Sequence, residues 1–347
     1  MKKIISEDII KNIDEIVWYI PFRKLRDSIR KLLINYINNS NYIYNELEKQ
    51  RRENELITYN EDYYYKKRVF KENVRTVEIG ISSFCNRKCW FCPNSIIDRN
   101  SCNIELNENL FLKLLSELRE INYSNYIYLH RYNEPLYNKE LLIKRIKQVR
   151  EYLPQAYITI FTNGDYLTLD YLKLLENIGV NAMIISYYYN GNDKNITFDI
   201  ENIIKPGMQK LLNRLNLNYY VLEQTQIKYR LKIEYKNMNI LYKAIDFKSS
   251  GVDRGGVIKN VNIVNRISKC FLPNFQIEVD YDANYTLCCD IRSDIPSHKD
   301  YILGNIGTHS VFDIFMGEKA INFRKELFLE GPKKGPCSHC SHFIDWI

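Results

Sequence analysis

Three cysteines lie on one short stretch of the chain, where they could bind iron. The segment Cys85-Asn-Arg-Lys-Cys89-Trp-Phe-Cys92 has the spacing C-x3-C-x2-C. Three thiolates on one loop can bind three irons of a [4Fe–4S] cube and leave the fourth iron open to a small molecule. A zinc knuckle is the main alternative, but zinc sites prefer C-x2-C pairs and a structural site needs a fourth ligand. The spacing therefore favours a catalytic iron–sulfur cluster.

A second set of cysteines lies near the end of the chain. Cys270 and Cys288 have 17 residues between them, and Cys337 and Cys340 form a C-x2-C pair. Four thiolates can close either a [4Fe–4S] cluster or a zinc site, and the spacing by itself leaves both open. Cys102 has no partner at a metal-binding spacing, so we interpret it as structural.

Composition favours metal ligation over disulfides. The chain has nine cysteines, an odd number, and its apolar start is interrupted at once by Glu7 and Asp8. It therefore lacks the pattern of a secretion signal, and no stretch approaches the roughly 18 uncharged apolar residues of a membrane helix. We expect a cytoplasmic protein with reduced thiols. The net charge of +7 is spread along the chain and weakly favours an anionic partner. We find no nucleic-acid motif.

The central part of the sequence alternates strands and helices. Strands are predicted at 76–84, 126–130, 157–161 and 182–186, and helices at 107–120, 142–149 and 168–177. This alternation predicts a parallel α/β sheet or barrel, in which ligands bind at the carboxyl ends of the strands. The cysteine loop, 130–135, 162–165 and 186–188 all fall at such ends.

Three regions are predicted along the chain. Residues 1–75 form an N-terminal helical extension, 76–255 form the α/β core, and 256–347 form a small cysteine-rich domain after the Gly255-Gly256 turn. Within 190–250, two strands are expected near 219–222 and 229–235.

One helix of the extension, after Pro21, is amphipathic and basic. Its two faces consist of Leu25, Ile29, Leu32, Leu33 and Tyr36 on one side and Arg23, Lys24, Arg26, Arg30 and Lys31 on the other. Such a helix can lie on an anionic membrane, although it more often docks its apolar face on protein. We favour docking over membrane association.

The Cys85–Cys92 loop, with the aromatic Phe91 just before its third cysteine, resembles the signature of the radical S-adenosylmethionine (SAM) superfamily. The resemblance implies a partial (β/α)6-type TIM barrel and a [4Fe–4S] cluster whose open iron binds SAM. Members of that family release a 5′-deoxyadenosyl radical, which abstracts a hydrogen atom from the substrate.

Other segments resemble the same family in the same order. Asn133-Glu134-Pro135 is similar to its Gly-Glu-Pro motif, with asparagine where glycine is usual, and Thr162-Asn163-Gly164-Asp165 is similar to its Thr-Asn-Gly turn. The resemblance implies a SAM-binding set that consists of Phe91, Asn133, Glu134, Thr162, Asn163 and Ser186.

The C-terminal cysteines resemble the shortened SPASM ("Twitch") domain of the same superfamily. The resemblance implies a second, auxiliary [4Fe–4S] cluster that is bound by Cys270, Cys288, Cys337 and Cys340. Cys289 could replace Cys288 as a ligand or donate a hydrogen atom in an epimerase. We favour a third role for it, as a small buried residue.

The Arg254-Gly-Gly segment and the 17-residue cysteine gap resemble family members that oxidise a secondary alcohol of a cyclitol. The resemblance implies that Arg254 contacts the substrate. We therefore predict a radical SAM oxidoreductase that acts on a sugar, cyclitol or related polyol, either free or linked to a phosphate or nucleotide. Dehydrogenation is favoured over epimerisation, in glycan or secondary-metabolite biosynthesis, with a reducing partner such as flavodoxin or ferredoxin.

Two alternatives stay open at this point. The first keeps the radical chemistry but takes a ribosomally made peptide as its substrate. The second is a non-enzymatic zinc-binding protein.

Overall fold

The computed structural model describes residues 7–259, 261 and 263–342. The chain divides into two compact units, one up to Thr58 and one from Tyr59 onwards. The α-helices are α1 (Glu7–Trp18), α2 (Arg23–Leu56), α3 (Tyr63–Asn73), α4 (Glu108–Glu120), α5 (Lys139–Tyr152), α6 (Leu169–Asn177), α7 (Lys205–Leu215), α8 (Phe247–Ser250), α9 (Leu272–Phe275), α10 (Val311–Phe315) and α11 (Glu318–Leu327). The strands are β1 (Thr76–Ile79), β2 (Tyr126–Tyr128), β3 (Tyr157–Thr162), β4 (Ala182–Ser186), β5 (Tyr219–Gln224), β6 (Lys228–Ile233), β7 (Asn239–Ile245), β8 (Gln276–Val279), β9 (Asn284–Thr286) and β10 (Ile302–Asn305).

The first unit is built from α1 and the 34-residue helix α2. The guanidinium of Arg30 on α2 donates to the carboxylate of Asp14 on α1. The guanidinium of Arg26 lies 5.3 Å from the ring centroid of Trp18. These contacts hold the two helices side by side.

The apolar face that the sequence predicted on α2 is partly exposed, and two of its five residues, Ile29 and Leu33, are partly buried. Leu25, Leu32 and Tyr36 are 50, 67 and 71% exposed. α1 contacts α2 through Arg26 and Arg30 instead, and these two residues lie on a different side of α2. No helix within the described residues has the length and apolarity that crossing a membrane requires.

The second unit contains one ten-stranded sheet, ordered β10-β9-β8-β1-β2-β3-β4-β7-β6-β5. The six central strands, from β8 to β7, pair in parallel, and the strands at both edges are antiparallel. Side chains such as Ile127, Ile158 and Ile160 are fully buried. The parallel sheet confirms the predicted α/β class.

Strand β1 ends sooner than the sequence predicted. It stops at Ile79 rather than at residue 84, and Gly80 follows it. A Cβ atom at Gly80 would lie 3.2 Å from the Cβ of Arg131 and from the backbone nitrogen of Tyr281, so a larger residue here would have to displace one of these neighbours by a few tenths of an ångström. The chain then leaves the sheet and carries Cys85 above its edge.

The region 190–250 holds three strands where two were predicted. Strand β7 was missed, and it pairs in parallel with β4, placing Lys243 opposite Ser186. Every second side chain of β7 is buried, and those between are exposed or partly buried. β5 and β6 extend the sheet beyond it as an antiparallel pair. β7 thereby adds a sixth parallel strand whose carboxyl end, at Ile245, lies at the same edge as the cysteine loop.

Two elements tie the predicted regions together within the second unit. Strand β8, from the predicted C-terminal domain, pairs with β1 of the core. Helix α3, predicted as part of the N-terminal extension, packs on α10: the ring of Phe70 lies 5.1 Å from those of Phe312 and Phe315. Lys66 and Asp313 add an ion pair of 2.8 Å between the same helices.

Candidate active site

A cavity of about 420 Å³ opens at the carboxyl ends of the parallel strands. Cys85, Cys89 and Cys92 lie in its wall, on the loop that follows β1. The loops after β2, β3 and β4 and the end of β7 contribute the other walls. The structure thus brings the predicted cluster cysteines and all the predicted SAM-binding residues to one cavity.

The three thiols of the cysteine loop are buried or partly buried, and none forms a disulfide. All three cysteines are free thiols, and burial raises the pKa of Cys85 and of Cys89 to about 12. Burial also raises the pKa of Cys92. Thiolates in such surroundings need bound cations to compensate them, so the donor set fits an iron cluster.

Glu134 is held by three hydrogen bonds. One carboxylate oxygen accepts from the hydroxyl of Thr162 at 2.6 Å and from the N–H of Leu136 at 3.1 Å, and the other accepts from the N–H of Asn163 at 2.8 Å. Burial raises the pKa of Glu134 to about 7. A buried carboxylate with fixed oxygens can accept from an ammonium group.

Asn133 occupies the usual glycine position without backbone strain. The left-handed residue of this loop is the preceding Tyr132, with φ of 55°. The side-chain oxygen of Asn133 accepts from the N–H of Arg131 at 2.7 Å, and its amide donates to the hydroxyl of Ser82 at 3.4 Å. The asparagine therefore stabilises the loop by side-chain hydrogen bonds that glycine could not make.

The turn after β3 is tied to the cysteine loop. Arg87 donates to both carboxylate oxygens of Asp165, at 2.8 and 2.6 Å, and the amide of Asn86 donates to the same carboxylate at 2.8 Å. The amide of Asn163 donates to the side-chain oxygen of Asn86 at 2.8 Å. Sequence reasoning did not assign roles to Arg87 or Asn86, although both stand inside the cysteine motif.

Phe91 is buried within an aromatic group at the cavity wall. Its ring stacks on Phe247, with centroids 3.7 Å apart and planes 5° from parallel. Tyr188 lies 5.3 Å away, and Ser186 at the end of β4 also lines the cavity. These aromatic and hydroxyl groups suit a flat, polar ligand such as a nucleoside.

Arg254 enters the same cavity from the segment after β7. Its backbone is left-handed, with φ of 51°, and its guanidinium donates to Asp290 at 3.0 Å. Burial by itself would raise the pKa of Asp290, but the hydrogen bond from His342 and the charge of Arg254 lower it to about 2. Asp290 is therefore an anion that holds the arginine in place.

The structure separates the adjacent residues Cys288 and Cys289. Cys288 lies in a small second cavity together with the other three predicted ligands, Cys270, Cys337 and Cys340. Cys289 lines the main cavity instead. The second cavity thus contains one complete set of four thiols, immediately behind a wall of the first.

A charged cluster that the sequence analysis missed lies below the main cavity. The Nε atom of Arg131 lies 3.8, 3.7 and 3.4 Å from carboxylate oxygens of Glu78, Glu278 and Asp280. Burial raises the pKa of Glu78 and of Glu278. Glutamates at buried positions of the short strands β1 and β8 were the sequence signals for this cluster.

Glu78 lines the main cavity beside several other polar side chains. The amide of Gln276 donates to Glu78 at 3.2 Å, and His130 stacks on Phe161 with centroids 4.5 Å apart. Burial lowers the pKa of His130 to about 3, so its ring is neutral. Lys243 also lines this cavity. The cavity wall therefore offers many hydrogen-bonding groups to a polar ligand.

Comparison with known proteins identifies the family. The family model described as the radical SAM superfamily matches residues 79–196, and the model of the iron–sulfur cluster-binding SPASM domain matches residues 270–341. This chain is a radical SAM enzyme with a SPASM domain. The enzyme uses SAM and [4Fe–4S] clusters, which excludes the non-enzymatic zinc-binding alternative.

Similar proteins agree with this assignment. The enzyme is 26% identical to the S-adenosyl-L-methionine-dependent 2-deoxy-scyllo-inosamine dehydrogenase of Niallia circulans over 273 residues, which cover 77% of this chain and 92% of the relative. The crystal structure of BtrN in complex with AdoMet and 2-DOIA shares its fold, with a TM-score of 0.52, 23% identity, and coverage of 74% of this chain and 87% of that chain. An open conformation of BtrN gives a TM-score of 0.51 at 23% identity, covering 78% and 92% of the two chains.

Proposed function

We propose that the enzyme oxidises a secondary alcohol of an aminocyclitol, or of a closely related amino sugar or polyol, to a ketone. One observation carries the proposal: the cavity that contains the three clustered cysteines also contains Arg254 and Glu78, an arginine and a carboxylate able to bind such a substrate. The name of the Niallia circulans relative, which denotes a dehydrogenase of an inosamine, supports the same substrate class.

We assign the cluster and SAM to specific residues. Cys85, Cys89 and Cys92 hold the catalytic cluster, and Glu134 accepts from the SAM ammonium. The other SAM contacts are Phe91, Asn133, Thr162, Asn163 and Ser186, all of which line the cavity. Bound there, SAM supplies a 5′-deoxyadenosyl radical that takes one hydrogen atom from the substrate carbon bearing the hydroxyl group.

The remaining steps need a route for one proton and one electron. When the carbon has lost a hydrogen atom, loss of the hydroxyl proton and of one electron completes the ketone. Cys270, Cys288, Cys337 and Cys340 would hold an auxiliary [4Fe–4S] cluster, which would supply an acceptor for this electron. The position of Cys289 in the wall of the main cavity, next to Cys288 in the second cavity, supports this assignment.

The substrate is held by groups of opposite charge. The guanidinium of Arg254, fixed by Asp290, donates to the substrate oxygen that becomes the carbonyl. Glu78 accepts from the substrate ammonium. Three carboxylates surround the single guanidinium of Arg131 near the cavity, so an added cation is favoured there.

Two further features follow from this chemistry. Cleavage of SAM consumes one electron, for which we propose a small reducing protein such as flavodoxin or ferredoxin as the source. We place the reaction in the cytoplasm, where the thiols and clusters stay reduced.

Anaerobic turnover of candidate substrates tests the proposal. Reconstituted enzyme should contain about eight irons, and it should release 5′-deoxyadenosine in step with a product that is ~2 mass units lighter than the aminocyclitol. Glu78→Gln should raise KM for an aminocyclitol at least about tenfold and change KM little for the matching cyclitol without the amine. A wild-type enzyme that cleaves SAM but leaves every aminocyclitol unchanged would contradict the assignment.

Epimerisation is a second candidate because the Cys289 thiol lines the cavity. Burial raises the pKa of Cys289 well above its usual range, so the neutral S–H form is the one present. In this reaction the thiol returns a hydrogen atom to the opposite face of the substrate radical, and one electron and one proton then restore the thiol. The product formed in H2O has the mass of the substrate, and the product formed in D2O contains one deuterium. Cys289→Ala abolishes its formation.

The peptide alternative has less support. Enzymes of that kind often carry a leader-binding winged-helix domain, whose wing is made of strands. The described residues 7–75 form helices and contain no strand. Peptide-dependent release of 5′-deoxyadenosine would restore this alternative.

A further inference from the structure

Helix α2 carries a stripe of apolar side chains along its length. The stripe consists of Leu25, Ile29, Leu32, Tyr36, Ile43 and Leu47, spaced three, four or seven residues apart. Ile29 is partly buried, and the other five are 50, 67, 71, 57 and 59% exposed in the order given. These side chains lie along one face of the helix in two groups, Leu25 to Tyr36 and Ile43 to Leu47, with Asn39 and Ser40 between them, and together we call them the α2 stripe.

The α2 stripe lies on a side of the helix that α1 does not cover. At 100° per residue, Arg26 and Arg30 lie about 90° and 130° around the helix from the centre of the stripe. These are the residues of α2 that contact Trp18 and Asp14 of α1. Residues 32–45 contain no charged side chain, which is unusual for a helix face in water.

We propose that the α2 stripe binds the α2 stripe of a second copy of this chain, with the two helices antiparallel. The sequence of the stripe is nearly symmetric about Tyr36. An antiparallel pair centred there places Leu25 opposite Leu47 of the other copy and Ile29 opposite Ile43 of the other copy. A two-fold axis requires such a self-complementary surface.

The charges beside the stripe favour the antiparallel arrangement. Lys24 and Glu46 lie on the same flank of α2, near its opposite ends. An antiparallel pair brings Lys24 of each copy beside Glu46 of the other, at both ends of the contact. A parallel pair would leave the two Lys24 side chains on opposite sides of the contact at one end and the two Glu46 side chains at the other end, so it would lack these opposite-charge contacts.

The dimensions also suit a helix pair better than a membrane surface. From Leu25 to Leu47 the stripe spans about 33 Å along the helix axis. It is narrow, as the contact line between two helices is, whereas a helix that lies in a membrane interface has a wide apolar face with Lys and Arg along its polar face. The absence of charge from residues 32–45 does not fit the latter pattern.

Sedimentation of the full-length enzyme over a range of concentrations tests the proposal. We expect dimers at about 10 µM, and Leu32→Glu, which places a charge in each half of the contact, should raise the dimer Kd at least about 100-fold. Lys31→Glu is the matched control, because this exposed neighbour lies off the stripe, and it should change Kd less than about threefold. Both variants should keep the helical circular-dichroism signal of the parent.

A charge exchange tests the orientation. Lys24→Glu should weaken the dimer about three- to tenfold, and adding Glu46→Lys to the same chain should restore it, since the two opposite charges then meet again. Failure of the double variant to recover would overturn the antiparallel arrangement.

Two other outcomes would overturn the proposal as a whole. One is the absence of a stripe-dependent dimer: either the wild-type chain stays monomeric at about 100 µM, or Leu32→Glu leaves the dimer intact. The other is a monomer that binds phosphatidylserine-containing vesicles and loses this binding in Leu32→Glu, which would assign the stripe to a membrane. None of these measurements depends on the substrate or on catalytic activity.

Discussion

At the scale of single residues, two adjacent cysteines face two different cavities. Cys288 and Cys289 are adjacent in sequence and chemically identical, yet the first lies with the auxiliary cysteines and the second with the SAM-binding residues. Arg254 and Asp290 come from segments 36 residues apart and meet in a 3.0 Å ion pair at the same wall. The residues proposed to bind the substrate and those proposed to hold the second cluster therefore share one short segment.

Iron content distinguishes the two cysteines. Cys288→Ala should lower iron after reconstitution from about eight to about four per chain, because it removes one of four ligands of the auxiliary site. Cys289→Ala should keep about eight, since its thiol faces the other cavity. Iron analysis with electron paramagnetic resonance of the reduced clusters checks both. The reverse result would make Cys289 the ligand.

SAM affinity should depend on pH through Glu134. Burial raises the pKa of this carboxyl from 4.5 to about 7, so in the SAM-free enzyme it is mainly protonated below that pH. Because the ionised form accepts from the SAM ammonium, the Kd for SAM should fall about five- to tenfold between pH 6 and 7.5. The raised pKa also predicts that this group lowers the stability of the SAM-free protein progressively as pH rises from 4.5 through about 7.

Glu134→Gln provides the control for this prediction. The amide cannot ionise, so SAM should bind more weakly than to the parent and with little pH dependence over the same range. Calorimetric titration at each pH gives both values. An unchanged pH profile in Glu134→Gln would show that another group titrates.

At the scale of secondary structure, parallel strands bring distant motifs to one edge. β1 to β4 and β7 each end beside the main cavity, and each delivers one part of the site in the loop that follows it. Asp165 then binds Arg87, joining the loop after β3 to the loop after β1. The register of the strands thus determines how the SAM-binding residues face the cysteines.

Helix α3 should be essential to the stability of the catalytic unit. Phe70→Ala removes a fully buried ring that contacts Phe312 and Phe315 of α10, and it should lower the free energy of unfolding by about 3–5 kcal/mol. Tyr64→Ala on the same helix, at a side chain that is 79% exposed, should change it by less than about 0.5 kcal/mol. Denaturant unfolding of both variants measures the difference. Equal effects would mean that α3 is not part of this core.

At the scale of the whole molecule, the sheet unites the two iron sites. β8 and β9 extend the core sheet beyond β1 and lead directly into Cys288. A separate C-terminal domain on a flexible linker would leave the distance between the two sites variable. Here the shared sheet leads to Cys288 in the second cavity and Cys289 in the main cavity, so the two proposed cluster sites lie close together, which suits electron transfer between them.

Removal of the auxiliary site should uncouple the reaction. In Cys337→Ala/Cys340→Ala the catalytic cysteines are intact, so SAM cleavage should continue at a rate within about threefold of the parent. Ketone formation should fall at least about tenfold, because the substrate radical has lost its electron acceptor. The ratio of ketone to 5′-deoxyadenosine measures this uncoupling. A ratio that stays at the parent value would show that the electron leaves by another route.

The sequence by itself determined the chemistry and most of the core. Cysteine spacing predicted an iron cluster with an open coordination site, because ligand number and spacing are local properties. Alternation of strands and helices predicted the α/β class, and asparagine and threonine at positions 107 and 168 cap α4 and α6 as their residue types favour.

Only the tertiary structure decided which residues meet. The charged cluster around Arg131 unites Glu78, Glu278 and Asp280, which are up to about 200 positions apart, so no local pattern could reveal it. Just after the end of β1, Gly80 closely approaches Arg131 and Tyr281, which are distant from it in sequence. The exposure of the α2 stripe also became visible only in three dimensions, because an amphipathic sequence predicts an apolar face but not whether anything covers it.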